Sequence, residues 1–261
     1  MEQNISEVKC GMDLYSSQFI RRINLKREEV PSFHHYPFNL PSLKTLDELI
    51  LHPKVTFFIG ENGMGKSTLL EGIAVALGFN PEGGSFNFQF STYDSHSPLG
   101  DYLKIIKGVE RPKDGFFLRA ESFYNVASNI EEMDREVLGP PVINSFGGTS
   151  LHEQSHGEAF FATFLHRFRG NGLYILDEPE AALSPLRQMS MITRIHDLVQ
   201  EQSQLIIATH SPIIMAYPEA TIYEFTEDGI CERKLEDTNH YRIMKQFFDD
   251  PSRMVHHLLN E

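Results

Sequence analysis

Cysteines and long apolar runs are both scarce in this 261-residue sequence. The two cysteines, Cys10 and Cys231, form neither a ligand cluster nor a disulfide framework. No apolar run approaches the length needed to cross a bilayer, and the N-terminus lacks a charged segment followed by an apolar one. These features predict a soluble protein of a reducing compartment, the cytoplasm, without a membrane segment.

Positive charge is also in short supply. Lys and Arg number 23 against 36 Asp and Glu, which gives a net charge of −13. This balance argues against a general electrostatic grip on DNA or on anionic lipid, although it allows a local basic patch. One small basic cluster lies on a strand expected at residues 19–25, and a solvated strand edge is the favoured interpretation over a nucleic-acid contact; its members are Arg21, Arg22, Lys26 and Arg27.

The most informative stretch is residues 60–68, G-E-N-G-M-G-K-S-T, a complete G-x-x-x-x-G-K-[ST] phosphate-binding loop. Residues 55–59 form a β-branched and aromatic run that predicts a buried strand before it. Apolar residues at helical spacing follow it, and Gly78 marks the helix end. A strand, a glycine loop and a helix start turn backbone N–H groups toward an anion.

Each position in the loop has an expected task. The glycines let the backbone wrap phosphate groups, Lys66 reaches the β- and γ-phosphates, and the Ser67 hydroxyl ligates Mg²⁺. The nucleotide-binding residues predicted here are Gly60, Asn62, Gly63, Gly65, Lys66, Ser67 and Thr68.

Three further motifs follow in the second half. Ser155 is placed to cap a helix, with Glu158 as its capping-box partner. A continuous apolar strand at 173–176 ends in Asp177-Glu178, and another at 205–208 leads to His210. A helix from Pro185 separates these strands, so their polar ends are expected at one edge of a parallel sheet.

The remaining elements are predicted from periodicity and turn residues. Strands are expected at 83–91, 116–121, 221–225 and 230–234, and helices within 96–112, at 123–138 and at 238–259, the last one covering the sheet.

The four ordered motifs resemble those of the ABC-type ATPase domain in its soluble branch, over roughly residues 55–215. That branch includes SMC-like and RecF-like ATPases and small AAA-family ATP-binding proteins. The resemblance implies a P-loop NTPase fold with a mainly parallel central sheet flanked by helices, an antiparallel β part and a small helical lobe within 96–150. It also implies a single ATPase domain over 1–261, with a strand pair and a covering helix at 221–261.

The resemblance further implies roles for the strand-end residues. Asp177 would hold Mg²⁺ through water beside Ser67, and Glu178 would be the general base for the attacking water. His210 would contact the γ-phosphate, with Lys66 as the third catalytic residue.

The segment at 155–158 matches the family's Leu-Ser-Gly-Gly-Gln motif with two changes, His156 and Glu158. In the family this helix start binds the γ-phosphate held by a second subunit. Ser155, Gly157 and Glu158 are therefore expected to complete the site of a partner chain in a head-to-tail homodimer that holds two ATP molecules. Ser184 stands where the family often has Asp, in the loop that crosses the interface.

Two assignments stay open. The glutamine that senses Mg²⁺ in the family corresponds either to Gln89 or to Glu121. The aromatic residues at 33–38, upstream of the loop, either stack on the nucleotide base or pack beneath the loop.

The function expected from the resemblance is ATP binding and Mg²⁺-dependent hydrolysis, with closure switching an effector protein in DNA maintenance, phage defence or a toxin–antitoxin system. The interval from Lys66 to Ser155 is too short for long coiled-coil arms. The alternatives are the nucleotide-binding subunit of a membrane transporter and a RecF-like DNA repair ATPase.

Overall fold

The computed structural model describes residues 18–86, 97–136, 140–181 and 183–260. Its strands are β1 Ile20–Leu25, β2 Glu48–Ile50, β3 Val55–Gly60, β4 Gly84–Ser85, β5 Leu103–Lys107, β6 Asp114–Arg119, β7 Gly172–Asp177, β8 Gln204–Ala208, β9 Ala220–Thr226 and β10 Gly229–Arg233. Its α-helices are α1 Pro41–Lys44, α2 Lys66–Leu77, α3 Phe123–Glu136, α4 His156–His166, α5 Pro185–Gln200, α6 Pro212–Met215, α7 Asn239–Asp249 and α8 Pro251–Asn260.

The larger sheet has seven strands in the order β10-β9-β3-β8-β7-β6-β4. Its five central strands run parallel, and β10 and β4 join antiparallel at the two edges. The strands predicted at 55–59, 116–121, 173–176 and 205–208 are confirmed and are neighbours here. Because parallel strands present their carboxyl ends at one edge, the polar residues that follow them are brought together.

The sheet separates two apolar layers, which explains the continuous apolar runs of its central strands. On β3, Phe57 packs into a layer with α3, α4 and α5, whereas Phe58 packs into the layer that contains α2 and the smaller sheet. Both phenylalanines are fully buried. The alternation fixes the rotation of β3 and thus the direction in which its glycine loop leaves the sheet.

The smaller sheet is antiparallel, in the order β2-β1-β5, and it corrects one prediction. The amphipathic helix expected within 96–112 is wrong: a 3-10 helix, Pro98–Tyr102, leads directly into β5. Pro98 permits only a helix start, and Ile105 and Ile106 are β-branched. Pairing with β1 along its length then holds this segment as a strand.

The basic cluster on this sheet is largely neutralised by acidic neighbours. Arg22 Nη1 lies 2.8 Å from Glu48 Oε2, and Lys26 Nζ lies 3.2 Å from Glu29 Oε2. Arg27 makes a third pair with Asp47 at 3.4 Å. These contacts favour the solvated strand edge over a nucleic-acid contact.

The C-terminal part confirms the strand pair but not the covering helix. β9 and β10 pair antiparallel, as predicted. The single helix expected at 238–259 is wrong, because it is divided into α7 and α8 at Asp250, whose non-helical backbone precedes Pro251. In the described residues 239–260 neither helix buries a residue, so they do not cover the sheet.

Other predictions are met in part. The helix expected at 123–138 is α3, and only Gly84–Ser85 of the strand expected at 83–91 is described as a strand. Gln89 and Cys10 lie outside the described residues. In the part of the chain that the structure describes, no helix is long and apolar enough to span a bilayer.

Candidate active site

The glycine loop at residues 60–65 joins β3 to α2, as its sequence predicts. Gly60, Gly63 and Gly65 have φ values of 132°, 81° and 94°, which L side chains rarely adopt. At Gly60 the reason is also steric, since a Cβ there would lie 2.3 Å from the carbonyl oxygen of Phe225 on the neighbouring β9. The loop therefore needs glycine to leave the sheet at this point.

The loop presents donors on its inner side. Among the described residues, no hydrogen-bond acceptor takes up the backbone N–H groups of Gly65, Lys66 or Ser67. The Lys66 ammonium donates to the carbonyl oxygens of Gly60 at 2.7 Å and Glu61 at 2.9 Å. A start of a twelve-residue helix, with three such N–H groups and a lysine beside them, is suited to bind an anion.

Lys66 lies in a buried and acidic setting. Its side chain is only 5% exposed, and this burial lowers the pKa of its ammonium, while Glu178 and Asp177 oppose the shift. The two carboxylates thus help to keep the lysine charged inside the site.

Ser67 and Asp177 meet although they are far apart in sequence. Ser67 Oγ donates to Asp177 Oδ1 at 2.9 Å, and Asp177 is 5% exposed at the end of β7. Burial is the main reason that the pKa of this carboxyl is raised to about 6, against the opposing effects of Arg119 and Ser67. A buried carboxylate next to a hydroxyl is a pair of hard oxygen ligands of the kind that Mg²⁺ prefers.

The Ser67 hydroxyl and the Asp177 carboxylate fit a Mg²⁺ ion whose other ligands are water and phosphate rather than further protein side chains. Within the described residues, no group of three or more His, Cys, Asp or Glu side chains is arranged to hold a metal ion. Mg²⁺ in nucleotide sites typically uses one or two protein oxygens and keeps its waters. Ser67 and Asp177 supply that number.

Glu178 and His210 face each other at the ends of β7 and β8. Glu178 Oε1 lies 3.7 Å from His210 Nε2, and the Glu178 side chain is 41% exposed, so it reaches solvent. Its backbone has a φ of 51° and donates to the Ala208 carbonyl at 2.9 Å, which ties the turn to the adjacent strand. Burial and the nearby Lys66 lower the pKa of His210, so the neutral imidazole is favoured.

Three residues at this edge were given no role of their own from the sequence. Arg119 pairs with Glu71 at 2.7 Å and lies 3.5 Å from Asp177 Oδ2. The strand register could have indicated this residue, since Arg119 is paired with Asp177 on the neighbouring strands β6 and β7. Glu180 accepts the backbone N–H of His210 at 2.5 Å, and His240 contacts the His210 ring. His240 belongs to no motif, and Glu180 lies in the loop that the resemblance assigns to the dimer interface.

The segment at 155–158 makes its polar contacts with itself and with α5. Glu158 Oε2 accepts from the backbone N–H and the hydroxyl of Ser155, at 3.2 and 2.6 Å, as expected of a capping box. Glu158 also lies 3.4 Å from Arg187 at the start of α5. Within the described residues, no hydrogen bond or ion pair joins Ser155, Gly157 or Glu158 to residues 60–68.

The loop beyond β7 has a structural task of its own. Ser184 caps α5 by accepting the backbone N–H of Arg187 at 3.4 Å. Serine and aspartate cap helices about equally well, so this cap is compatible with the serine found here and with the aspartate that the resemblance leads one to expect.

The structure bears on the two assignments left open by the sequence, the Mg²⁺-sensing position and the role of the aromatic residues at 33–38. Glu121 lies just beyond β6 with its side chain largely in solvent and 3.8 Å from Arg119. Upstream of the loop, Phe38 is buried and makes an edge contact with Tyr102, so it packs as core. Tyr36 is 62% exposed, and its hydroxyl lies 3.4 Å from Thr68 Oγ1. Its ring is therefore accessible to solvent beside the start of α2.

Comparison with known families agrees with this geometry. A family model described as "AAA domain" matches residues 31–123, which contain the glycine loop. A second, described as "AAA ATPase domain", matches residues 148–215, which contain Asp177, Glu178 and His210. A search of curated proteins finds no match to this chain.

Several solved structures are similar to this chain. The SMC head domain from Thermotoga maritima is 14% identical with a TM-score of 0.43, covering 83% of this chain and 100% of that one. An ATP-binding cassette of an ABC transporter is 18% identical with a TM-score of 0.48, covering 90% and 96%. A dimeric ATP-binding cassette bound to ADP and Pi is 16% identical with a TM-score of 0.43, covering 74% and 91%.

All three scores lie below 0.5, so the family models, the strand order and the loop geometry carry the assignment. They show an α/β fold with a P-loop and a similarity to AAA-type ATPase domains. These findings agree with the P-loop ATPase resemblance drawn from the motifs.

Proposed function

We propose that this chain binds ATP together with Mg²⁺, hydrolyses it, and does so between two copies of the chain. One observation carries the proposal. Side chains from three different elements meet beside the glycine loop. Ser67 Oγ lies 2.9 Å from Asp177 Oδ1, and Glu178 Oε1 lies 3.7 Å from His210 Nε2. A pair of carboxylates at such a point is unfavourable unless cations compensate it, and Lys66 together with Mg²⁺ would do so.

The roles follow from position. The loop N–H groups and Lys66 would bind the β- and γ-phosphates, while Ser67 and, through water, Asp177 would hold the ion. Bound Mg²⁺ supplies charge neutralisation for the phosphates. Glu178, the exposed carboxylate, would orient the attacking water and accept its proton, and His210 Nε2–H would donate to a γ-phosphate oxygen.

A second copy is proposed because, within the described residues, the start of α4 makes no hydrogen bond or ion pair with the glycine loop of its own chain. Its exposed N-terminus carries Ser155 and Gly157, and helix N–H groups there favour an anion. In a head-to-tail dimer this helix start, with Glu158 keeping Ser155 in place, would close over the γ-phosphate of the partner. Two ATP molecules would then lie between the subunits.

Hydrolysis is tested by the turnover rate of Glu178→Gln against wild type, with Glu227→Gln as the control. Glu227 is an exposed carboxylate in the turn between β9 and β10. Loss of the base should lower turnover by at least about 100-fold, while ATP binding persists. Equal turnover in wild type and Glu178→Gln would exclude Glu178 as the base.

We further propose that closure switches an effector protein in the cytoplasm, in DNA maintenance, phage defence or a toxin–antitoxin system. The interval from Lys66 to Ser155 supports an effector acting on the head itself, because its described residues form β4–β6, α2, α3 and short turns rather than arms. Such a partner should bind ATP-trapped Glu178→Gln and release ADP-bound wild type. Equal binding to both forms would contradict a switch.

A further inference from the structure

A second histidine reaches the active site from the C-terminal helices. His240, in the first turn of α7, has its Nε2 3.3 Å from His210 Nδ1, with the ring centroids 5.5 Å apart. On the other side of the His210 ring, Nε2 faces Glu178 Oε1 at 3.7 Å. The three side chains thus form a row, with His210 in the middle.

The position of His240 is fixed by a buried cap. Thr238 is fully buried, its hydroxyl donates to the Leu235 carbonyl at 2.8 Å, and it accepts the Tyr241 N–H at 3.3 Å. α7 therefore begins at a defined place even though none of its residues is buried. The cap thus fixes the first turn of α7, which carries His240.

The contact between the rings constrains the proton on His210. A neutral imidazole carries one proton, so one nitrogen donates and the other accepts. If His210 Nδ1–H donated to His240, a bare His210 Nε2 would face the Glu178 carboxylate, and two acceptors would oppose each other. If His240 Nε2–H donates instead, His210 Nε2 keeps its proton and points a donor toward Glu178.

The Glu178 carboxylate decides between the two arrangements. Among the described residues, His210 Nε2 and His240 Nδ1 are both buried without a hydrogen-bond partner, and either arrangement leaves one of them as a donor. Only the second arrangement directs that donor, His210 Nε2–H, toward the Glu178 carboxylate, whose Oε1 lies 3.7 Å away.

We propose that His240 is a positioning residue, which donates its Nε2–H to His210 Nδ1 and so holds His210 as the tautomer with its proton on Nε2. This inference rests on the proposed function, since the Nε2 proton is the one offered to the γ-phosphate. Through α7, it links the C-terminal helices to the ATP site.

The surroundings keep both rings neutral, as a fixed tautomer requires. Burial lowers the pKa of both histidines, and the cation Lys66 on α2 adds to this. Four carboxylates face the pair from other elements: Glu61 in the loop, Glu178 and Glu180 after β7, and Glu224 on β9. Of these, Glu61 and Glu178 oppose the shift at His210, and Glu61 and Glu224 at His240.

The test compares His240→Gln with His240→Met. The two replacements have similar length, but only the glutamine has an amide N–H₂ near the position of His Nε2. Histidine side-chain nitrogens are followed by ¹⁵N NMR of the labelled full chain, with His210 assigned from its loss in His210→Gln. Steady-state ATP turnover and KM are measured on the same samples, and thermal melting checks the fold.

We expect the Nε2–H tautomer of His210 in wild type and in His240→Gln, and a mixture of tautomers in His240→Met. Turnover of His240→Met should fall about tenfold with KM for ATP unchanged, as for a lost supporting hydrogen bond, and His240→Gln should recover most of it. An Nδ1–H tautomer in wild type would overturn the proposal. So would equal turnover and equal spectra in the two variants.

The NMR measurement needs neither ATP nor turnover, which separates the two proposals. A wild type that lacks ATPase activity but shows the expected His210 tautomer, lost only in His240→Met, would refute the proposed function and leave the His240 contact standing. A wild type that hydrolyses ATP but shows the Nδ1–H tautomer of His210 would refute the role of His240 and leave the proposed function standing.

Discussion

The hydroxyl of Ser67 lies 2.9 Å from a carboxylate oxygen of Asp177, across 110 residues of sequence. The bond joins the first turn of α2 to the end of β7. The strand that leads into α2 is β3, and β8 separates β3 from β7 in the sheet. It brings the two hard oxygen ligands of the proposed Mg²⁺ site together. The order of the strands in the sheet therefore places this pair of ligands.

Ser67→Ala should weaken the use of Mg²⁺ while Asp177 remains. Removal of one oxygen ligand is expected to raise the Mg²⁺ concentration for half-maximal ATP turnover by about tenfold or more. Ser190→Ala is the matched control, because its exposed hydroxyl only donates to the Leu186 carbonyl within α5. An unchanged Mg²⁺ dependence in Ser67→Ala would remove Ser67 from the ligand set.

Glu180→Gln should stabilise the fold at high pH. Burial is the main cause that raises the pKa of Glu180 above 4.5, against the hydrogen bond from the His210 N–H. A group whose pKa is raised on folding contributes most to the free energy of unfolding at low pH. This contribution is lost as the pH rises through the pKa of the folded state. A glutamine keeps the acceptor for His210 and carries no charge to desolvate.

Chemical unfolding at pH 8 and pH 5 measures this effect. The free energy of unfolding of Glu180→Gln should exceed that of wild type at pH 8, and the difference should shrink at pH 5. The exposed Glu227→Gln should show no such change. A Gln variant less stable than wild type at pH 8 would mean that the ionised carboxylate is stabilising.

Gln204→Leu should be strongly destabilising. At the start of β8, this buried amide accepts from the N–H groups of Phe19 and Ile20 and donates to the carbonyls of Ile20 and His52. It therefore holds the smaller sheet to the larger one. Unpaired buried groups cost about 1–3 kcal/mol each, so a loss of roughly 3 kcal/mol or more is expected.

The control for this change is Gln200→Leu, at the exposed end of α5. Urea unfolding should move its midpoint little compared with Gln204→Leu. Equal midpoints in the two variants would show that the amide does not join the sheets.

Much of this fold could be predicted from local sequence patterns. The strands β3, β7 and β8 are predicted because each is a short apolar run that ends in a glycine loop or in polar residues. The capping of α4 follows equally from Ser155 and Glu158. The loop motif and the strand-end acids also led to the converging set at the sheet edge, because parallel strands align their carboxyl ends.

What the sequence did not indicate depends on contacts between distant segments. β5 has helical periodicity in its apolar residues, and only its pairing with β1 makes it a strand. Arg119 and His240 carry no motif, and they gain their significance from Asp177 and His210, which the fold places beside them. The break at Pro251 could have been foreseen from proline alone.

Tyr36→Ala should weaken ATP binding through the base. The exposed ring stands beside Thr68, and we propose that it stacks on the nucleotide base, an interaction of about 1–3 kcal/mol. The dissociation constant for ATP should rise about fivefold or more in Tyr36→Ala and change little in Tyr36→Phe. Inorganic triphosphate has no base, so its affinity should stay the same; an equal loss for both ligands would contradict stacking.

The mass of Glu178→Gln in solution with ATP and Mg²⁺ tests the two-subunit site most directly. Without its base the protein should hold ATP in the closed state, as a dimer of twice the 29.9 kDa chain mass, and return to monomer with ADP. Adding Ser155→Asp keeps a residue that caps helices but sets a negative charge against the phosphate, so this double variant should stay monomeric. A Glu178→Gln protein that binds ATP yet remains a monomer would contradict the shared site.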